Sequence, residues 1–364
     1  MEITINKDFL LEGILQASRF TSARIGSAAG LQGILFLNKQ ERLHLYSTDL
    51  STFFHTSISS NQTEECRFLL DTRKVVEFLS YLAPGDITAH VEKDKVTILQ
   101  KKSKGTFPFM PGVDFPTPPK MDAQIHKIEV KTFEKIISLV LFSASKDLSR
   151  PVLSGINFVE KDGEMDVVST DGFRLSLLHI KNDINLKSSL VPAEFLMELS
   201  RNIKEKKEMQ MSYLDKEKMI FFKTDNDEYF TRLIEGDFPP YERVIPKEKK
   251  TTVVLDREDL IRNVKLISVF ARDFSNIVVC SFDKKGLTLS PKTEGGAENS
   301  TTQDCEFDGE EMRVAFNFKF LVDFLNSTKD EKISVELLRP DAPVVLRTSE
   351  KDYTHIIMPV RIQE

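Results

Sequence analysis

The sequence predicts an α+β fold built from three tandem copies of one domain, each with two helices packed on a curved antiparallel sheet. Three observations predict it: a strand-and-helix opening that recurs at fixed spacing, a second strand-and-helix pair inside every copy, and alternating apolar and polar runs between them. The opening ITINKDFLLEGILQASRF returns as IEVKTFEKIISLVLFSAS and as VVLDREDLIRNVKLISVF, with Ile3, Ile128 and Val253 in the same place, 125 residues between successive copies. Solenoid and propeller repeats have periods of roughly 20 to 50 residues, so each copy here is expected to be a self-sufficient fold with its own core.

The second pair comes from FLLDTRKVVEFLSYL, LVPAEFLMELSRNI and VAFNFKFLVDFLNST, where a short strand precedes apolar residues at i, i+3, i+4 and i+7. LQGILFL with LHLYSTD, MDVVST with RLSLLHI, and KISVELL with PVVLRTS read as half-buried antiparallel strands. The copies end on FPFMPGVDFPTPP, RLIEGDFPPYERVIP and HIIMPVRIQE, and Pro stops extension in the first two. Linkers fall near Met121 to His126 and near Pro246 to Lys250, which sets the expected domains at 1–122, 123–247 and 248–364.

The 364 residues are 40% hydrophobic and 29% charged, enough for several packed domains and too polar for a membrane protein. With 50 Lys and Arg against 56 Asp and Glu the net charge is −6, so any nucleic-acid contact must be local. The predicted helical segments Lys7–Arg19, Asp71–Leu82, Lys131–Lys146, Ala193–Lys207, Asp256–Arg272 and Asn317–Lys329 together carry +5, which leaves −11 for everything else. Two readings stand: helices drift basic because Lys and Arg are good helix formers, or the helices make one basic surface backed by acidic sheets. Cys66, Cys280 and Cys305 are odd in number and far apart, which disfavours a disulfide framework or a zinc site and suggests free thiols in the cytosol. No stretch approaches the roughly 18 apolar residues of a spanning helix, and the first segment carries acids foreign to a secretory signal, so a cytoplasmic protein is expected.

Catalytic signatures are missing. There is no GxxxxGK[ST] loop, no GxGxxG after a strand, no GxSxG elbow and no HExxH. The histidines His44, His55, His90, His126, His179 and His355 are scattered singly and read as structural or exposed. The run Asp304, Glu306, Asp308, Glu310 and Glu311 lacks EF-hand spacing and reads as a solvated acidic loop. No cofactor and no metal are expected.

Ser169 to Ser176, STDGFRLS, sits between two strands, where Asp and Gly suit a tight turn. Its counterpart in the first copy, STDLST from Ser47 to Thr52, keeps Thr and Asp but lacks Gly and Arg, so turn formation alone does not demand them. Together with DFPPYERVIP, FNFKFLVDFL, a terminal MPVRI and the 125-residue repeat, this segment resembles the bacterial sliding clamp family, the beta subunit of the replicative DNA polymerase III holoenzyme, over essentially the whole chain.

The resemblance implies three DNA-clamp domains per chain and a ring-shaped, head-to-tail homodimer of pseudo-sixfold symmetry, with helices lining a central hole and sheets outside. Closure also makes physical sense, because a row of sheet-bearing domains leaves an unpaired edge at either end. The implied function is that of a non-enzymatic processivity factor in DNA replication. It would encircle double-stranded DNA without reading its sequence and tether the replicative polymerase, clamp loader and repair proteins. The family's basic DNA-facing positions fall on Arg24, Arg73, Lys74, Arg150 and Arg201. Arg73 and Lys74 open a helix, where cations oppose the macrodipole, and a phosphate partner would account for them.

The family's hydrophobic groove for partner peptides would comprise Leu153, Thr170, Gly172, Phe173, Arg174, Leu175, Pro239, Arg243, Val244, Phe274, Phe320, Pro343, Met358, Pro359, Val360 and Arg361. Met adapts its shape, Pro stays rigid and Arg offers donors to peptide carbonyls. Two departures bear on it. The family commonly carries His where this chain has Phe173, which would fill part of the pocket. It also commonly stops near Ile362, whereas Gln363 and Glu364 continue here. The alternatives are a peptide-binding scaffold that never meets DNA, or an enzyme with a dispersed acid-base site around Asp171 and Arg174.

Overall fold

A computed structural model describes the chain except for residues 23–28, 112–113, 122–123, 183–185, 273–274, 293–298 and 362–364. It contains helices α1 (Lys7–Ser18), α2 (Arg73–Tyr81), α3 (Val130–Val140), α4 (Ala193–Asn202), α5 (Arg257–Ala271) and α6 (Phe318–Ser327), each following the strand the sequence predicts. Polar side chains start α1, α5 and α6: Asn6 accepts from the Asp8 and Phe9 amides, Asp256 from that of Asp259, and Asn317 from that of Lys319. Their apolar faces are buried, through Leu10, Ile14 and Ala17 of α1, Val75 and Leu79 of α2, and Leu321, Phe324 and Leu325 of α6.

Packing follows a different division from the repeat. Residues 1–131 with 198–233 form one compact unit, and residues 132–197 with 234–364 form another. In the first unit, a four-stranded sheet runs Glu2–Asn6, Asp86–Val91, Lys95–Gln100, Ser103–Pro108. An eight-stranded sheet runs Cys66–Leu70, Ile34–Lys39, Arg42–Thr48, Thr52–Ser59, Glu228–Arg232, Met219–Lys223, Glu208–Leu214, His126–Glu129. The first repeat meets the second inside that sheet, where Thr52–Ser59 pairs antiparallel with Glu228–Arg232 and His55 stands opposite Glu228.

In the second unit a nine-stranded sheet runs Ser189–Pro192, Gly155–Lys161, Glu164–Thr170, Arg174–Lys181, Tyr353–Ile357, Val344–Arg347, Lys332–Leu337, Thr251–Asp256, Glu306–Asp308. Its seam between repeats is Arg174–Lys181 on Tyr353–Ile357, with Arg174 opposite Ile357. A four-stranded sheet runs Thr301–Gln303, Gly286–Pro291, Ile277–Asp283, Met312–Asn317.

The cores cross the repeats too. Phe53 packs with Leu214, Met219, Phe221 and Phe230, and Val168, Leu175, Leu177 and Tyr241 pack with Val345 and Ile356. The expectation of a separate core per copy therefore gives way to shared sheets. The cause is the unpaired N–H and C=O row of an edge strand, which the edge of the next repeat satisfies.

The helices are shorter than the segments used for the charge count, and this moves the charge. Within the observed bounds the six helices carry +1, not +5. The cations Arg19, Lys146, Lys204, Lys206, Lys207, Arg272 and Lys329 all lie beyond helix C-termini, while Asp71 and Asp256 precede helix N-termini. Glu205 also lies past the end of α4, and Arg73 and Lys74 stay at the start of α2, so the dipole does not account for every charge. The basic excess belongs to the helix ends and the loops that follow them.

Candidate functional site

The STDGFRLS turn is held by its own side chains. Thr170 Oγ1 accepts from the Gly172 amide at 3.0 Å and donates to the Arg174 carbonyl at 2.6 Å, while Asp171 Oδ1 accepts from the amides of Phe173 and Arg174 at 2.9 and 3.0 Å. The first repeat builds the same turn. Thr48 Oγ1 accepts from Leu50 at 2.9 Å and donates to the Thr52 carbonyl at 2.6 Å, and Asp49 Oδ1 accepts from Ser51 and Thr52 at 2.9 and 2.7 Å. Gly172 has φ of 90° and Leu50, its counterpart, 76°, so both turns demand the left-handed conformation and only one places glycine there.

Glycine at 172 leaves the space above the turn open. A Cβ there would lie 3.9 Å from Arg150 Nη1, which places Arg150 at this turn.

Arg174 is 8% exposed, and two of its three nitrogens have carboxylate partners. Nε donates to Asp171 Oδ2 at 3.0 Å and Nη1 to Asp323 Oδ2 at 2.6 Å. The guanidinium carbon lies 5.6 Å from the ring centre of Phe142 and 4.6 Å from that of Phe320. Arg174 fastens the turn to α6, and Arg243 and Arg361, the other arginines of the candidate groove, are exposed.

Several of the candidate groove residues stand around this anchor. Leu153 and Leu175 are buried, and Leu175 stands opposite Ile356 in the sheet. The Met358 amide donates to the Phe173 carbonyl at 2.8 Å, which brings the C-terminal segment to the turn. The short 3-10 turn Tyr241–Val244 inserts Tyr241 against Val168, Leu175 and Leu177 and leaves Arg243 and Val244 exposed, with Pro239 just before it.

Other members sit differently. The Phe173 ring is 63% exposed and stands on the surface; it does not fill a pocket. Val360 packs on Ile277, Val279 and Ala315, with its amide donating to the Ala315 carbonyl at 2.8 Å, and so covers the four-stranded sheet. Pro343 lines a cleft with Pro246, Glu336 and Arg347. Pro359 is half-buried. Phe274 lies outside the described residues.

Of the DNA-facing candidates, Arg24 lies outside the described residues. Arg73 is 82% exposed and bidentate to Asp71, at 3.1 and 3.0 Å, which supplies a local partner for a cation at a helix start. Arg201 pairs with Glu198 at 2.6 Å, and Lys74 and Arg150 are exposed. Both pairs lie at the protein surface, where water and salt screen them.

The acid-base alternative finds no support at Asp171, whose two oxygens are taken by two amides and the Arg174 guanidinium. Among the described residues no group of three or more His, Cys, Asp and Glu is placed to hold a metal ion. Sequence spacing missed one histidine pair. His44 Nδ1 lies 2.9 Å from His55 Nε2, and His55 Nδ1 lies 2.9 Å from Glu228, because adjacent strands bring them together diagonally.

Residues 1–119, 127–240 and 242–361 match, in that order, the N-terminal, central and C-terminal domain families of the DNA polymerase III beta subunit. A beta sliding clamp of Halalkalibacterium halodurans is 27% identical, covering 99% of this chain and 100% of its own. One of Bacillus subtilis is 24% identical over the same shares. Among solved structures, the DNA polymerase III beta subunit of Thermotoga maritima aligns with a TM-score of 0.90 at 23% identity, covering 100% of both chains. The beta chain of Streptococcus pneumoniae aligns at 0.91 and 22%, covering 99% of this chain and 100% of that one.

Proposed function

We propose, on the footing that the chain belongs to the DNA polymerase III beta subunit family, that it is a DNA sliding clamp. It closes as a head-to-tail homodimer around double-stranded DNA, works in the cytoplasm without catalysing a reaction, and tethers the replicative polymerase, clamp loader and repair proteins by their peptides. The domains are 1–122, 123–247 and 248–364. The observation that carries this reading is that all three domain families are matched in order over nearly the whole chain.

Two features of the fold support ring closure. The four-stranded sheet of the first unit ends on the edge strand Ser103–Pro108, and that of the second unit on Thr301–Gln303. Beside the latter, α5 exposes Leu266, Val269 and Phe270 at i, i+3 and i+4, an apolar stripe that a partner copy would cover. Tyr81 at the end of α2 is exposed in the first unit. The peptide site is the groove at the 170–175 turn, floored by Leu153 and Leu175 and walled by Val244 and Met358. Arg243 and Arg361 supply donors at its rim, Phe173 stands at its mouth, and Thr170, Gly172, Pro239, Phe320 and Pro359 are its further members; Pro343 and Val360, which pack elsewhere, and Phe274, outside the described residues, stay candidates on the family resemblance alone. Arg24, Arg73, Lys74, Arg150 and Arg201 meet phosphates, and Arg150 also reaches the turn.

Sedimentation tests the assembly. The chain runs as a dimer at micromolar concentration, and Val269→Glu shifts it toward monomer. A monomer that persists at every concentration removes the hole and the reading with it.

A further inference from the structure

One buried carboxylate below the groove wall gathers three donors. Asp166 Oδ2 accepts from the Tyr241 hydroxyl at 2.6 Å and from Lys161 Nζ at 3.0 Å, and its other oxygen accepts from His179 Nδ1. Lys161 Nζ also donates to the Tyr241 oxygen at 3.0 Å and to Glu242 at 2.8 Å. The five residues come from three neighbouring strands and from the 3-10 turn Tyr241–Val244, so the network fastens that turn to the sheet. Burial acts to raise the Asp166 carboxyl, but the bonds from Tyr241, Lys161 and His179 outweigh it and hold the group below its ordinary value. Burial and the adjacent Asp166 push the Tyr241 hydroxyl up to about 12, so it stays a donor at neutral pH.

We infer that Asp166 and Tyr241 are positioning residues for the peptide groove: their hydrogen bond, braced by Lys161, sets where Arg243 and Val244 stand relative to Leu175. The inference rests on the reading of the groove as the peptide site. The turn has only four residues and three of them, Glu242, Arg243 and Val244, are exposed, so little else on its own length fixes it. The ring of Tyr241 supplies apolar contact, and the hydroxyl supplies direction, because a hydrogen bond to a carboxylate is strong and tolerates little displacement. None of Asp166, Lys161 and His179 belongs to the groove, so their effect on a peptide passes through the turn.

The test is a double-mutant cycle read in peptide affinity. The probe is a fluorescein-labelled peptide carrying the clamp-binding segment of the same organism's replicative polymerase, and the protein is the full chain. Tyr241→Phe keeps the ring and removes the hydroxyl, and it is expected to weaken binding about three- to tenfold through faster dissociation. In a Val244→Ala background, where the wall contact is already gone, the same change is expected to have no further effect. Asp166→Asn serves as an independent second variant and should show the same coupling. Parent affinity in both variants, or losses that simply add to that of Val244→Ala, would overturn the inference while leaving the groove in place. Absence of binding by the parent chain would overturn the groove reading and the inference with it.

Discussion

Arg174 and Asp323 are 149 residues apart in the chain, yet Arg174 Nη1 donates to Asp323 Oδ2 at 2.6 Å, and this bond ties the hairpin turn of one repeat to the helix α6 of the next. The turn carries Gly172 and Phe173, and α6 carries Phe320, which stacks on the same guanidinium. Two walls of the proposed groove therefore share one buried cation.

Asp323→Ala leaves that cation with Asp171 alone and is expected to cost the second unit about 1–3 kcal/mol, the worth of a hydrogen bond to a charged group. Arg174→Lys does not restore stability, because an ammonium cannot serve two carboxylates and lie between two rings in the fork geometry of a guanidinium. Urea titration of each variant reads both effects; an unchanged midpoint for Asp323→Ala would contradict the assignment.

The paired turns give a second prediction. Leu50 holds a φ of 76° that Gly172 adopts without strain, so Leu50→Gly is expected to stabilise the first unit by up to about 1 kcal/mol despite glycine's entropy cost. Thermal unfolding checks the sign.

His355 makes stability depend on pH. Its ring lies between Phe142 and Phe324, its Nδ1 lies 2.9 Å from Ser176 Oγ, and its Nε2 meets no polar partner among the described residues. Burial, with Arg174 nearby, holds the imidazole well below its ordinary 6.5. The unfolded chain takes up this proton first as the pH falls. The contribution is therefore complete above about pH 6.5 and declines below it by about 1.4 kcal/mol per pH unit until the folded-state value is reached. His355→Phe should flatten that limb in urea titrations at pH 7.5, 6.5 and 5.5; an unchanged slope would show that the group titrates normally.

Removal of Met358 to Glu364 takes away the strand of backbone that meets Phe173 and the Val360 contact on Ala315. Peptide affinity is expected to fall more than about tenfold, the loss of a central anchor. Equal binding by the truncated chain, measured by fluorescence anisotropy, would show that the groove lies elsewhere.

Much of this was legible in the residues. Helix periodicity and the strand before each helix survive in all six cases, and the Thr-Asp pair marks the same turn in two repeats. Strand partners were not legible, because an alternating run such as MDVVST shows which face is buried but not which edge it joins. For that reason the shared sheets are visible only in the structure. Arg174 read as a peptide donor because its partner Asp323 is set by tertiary packing, and the helical charge read as +5 because the flanking cations were counted inside the helices. His44 and His55 have no telling spacing; only the register of adjacent strands unites them.

The most direct test of the ring is topological. The clamp, placed by its loader on a nicked circular plasmid, should co-elute with the DNA through gel filtration and be released when a restriction enzyme linearises the circle, since a threaded ring slides off ends. Equal retention on circular and linear DNA would show an ordinary surface binder, and no retention on the circle would show a scaffold that does not encircle DNA.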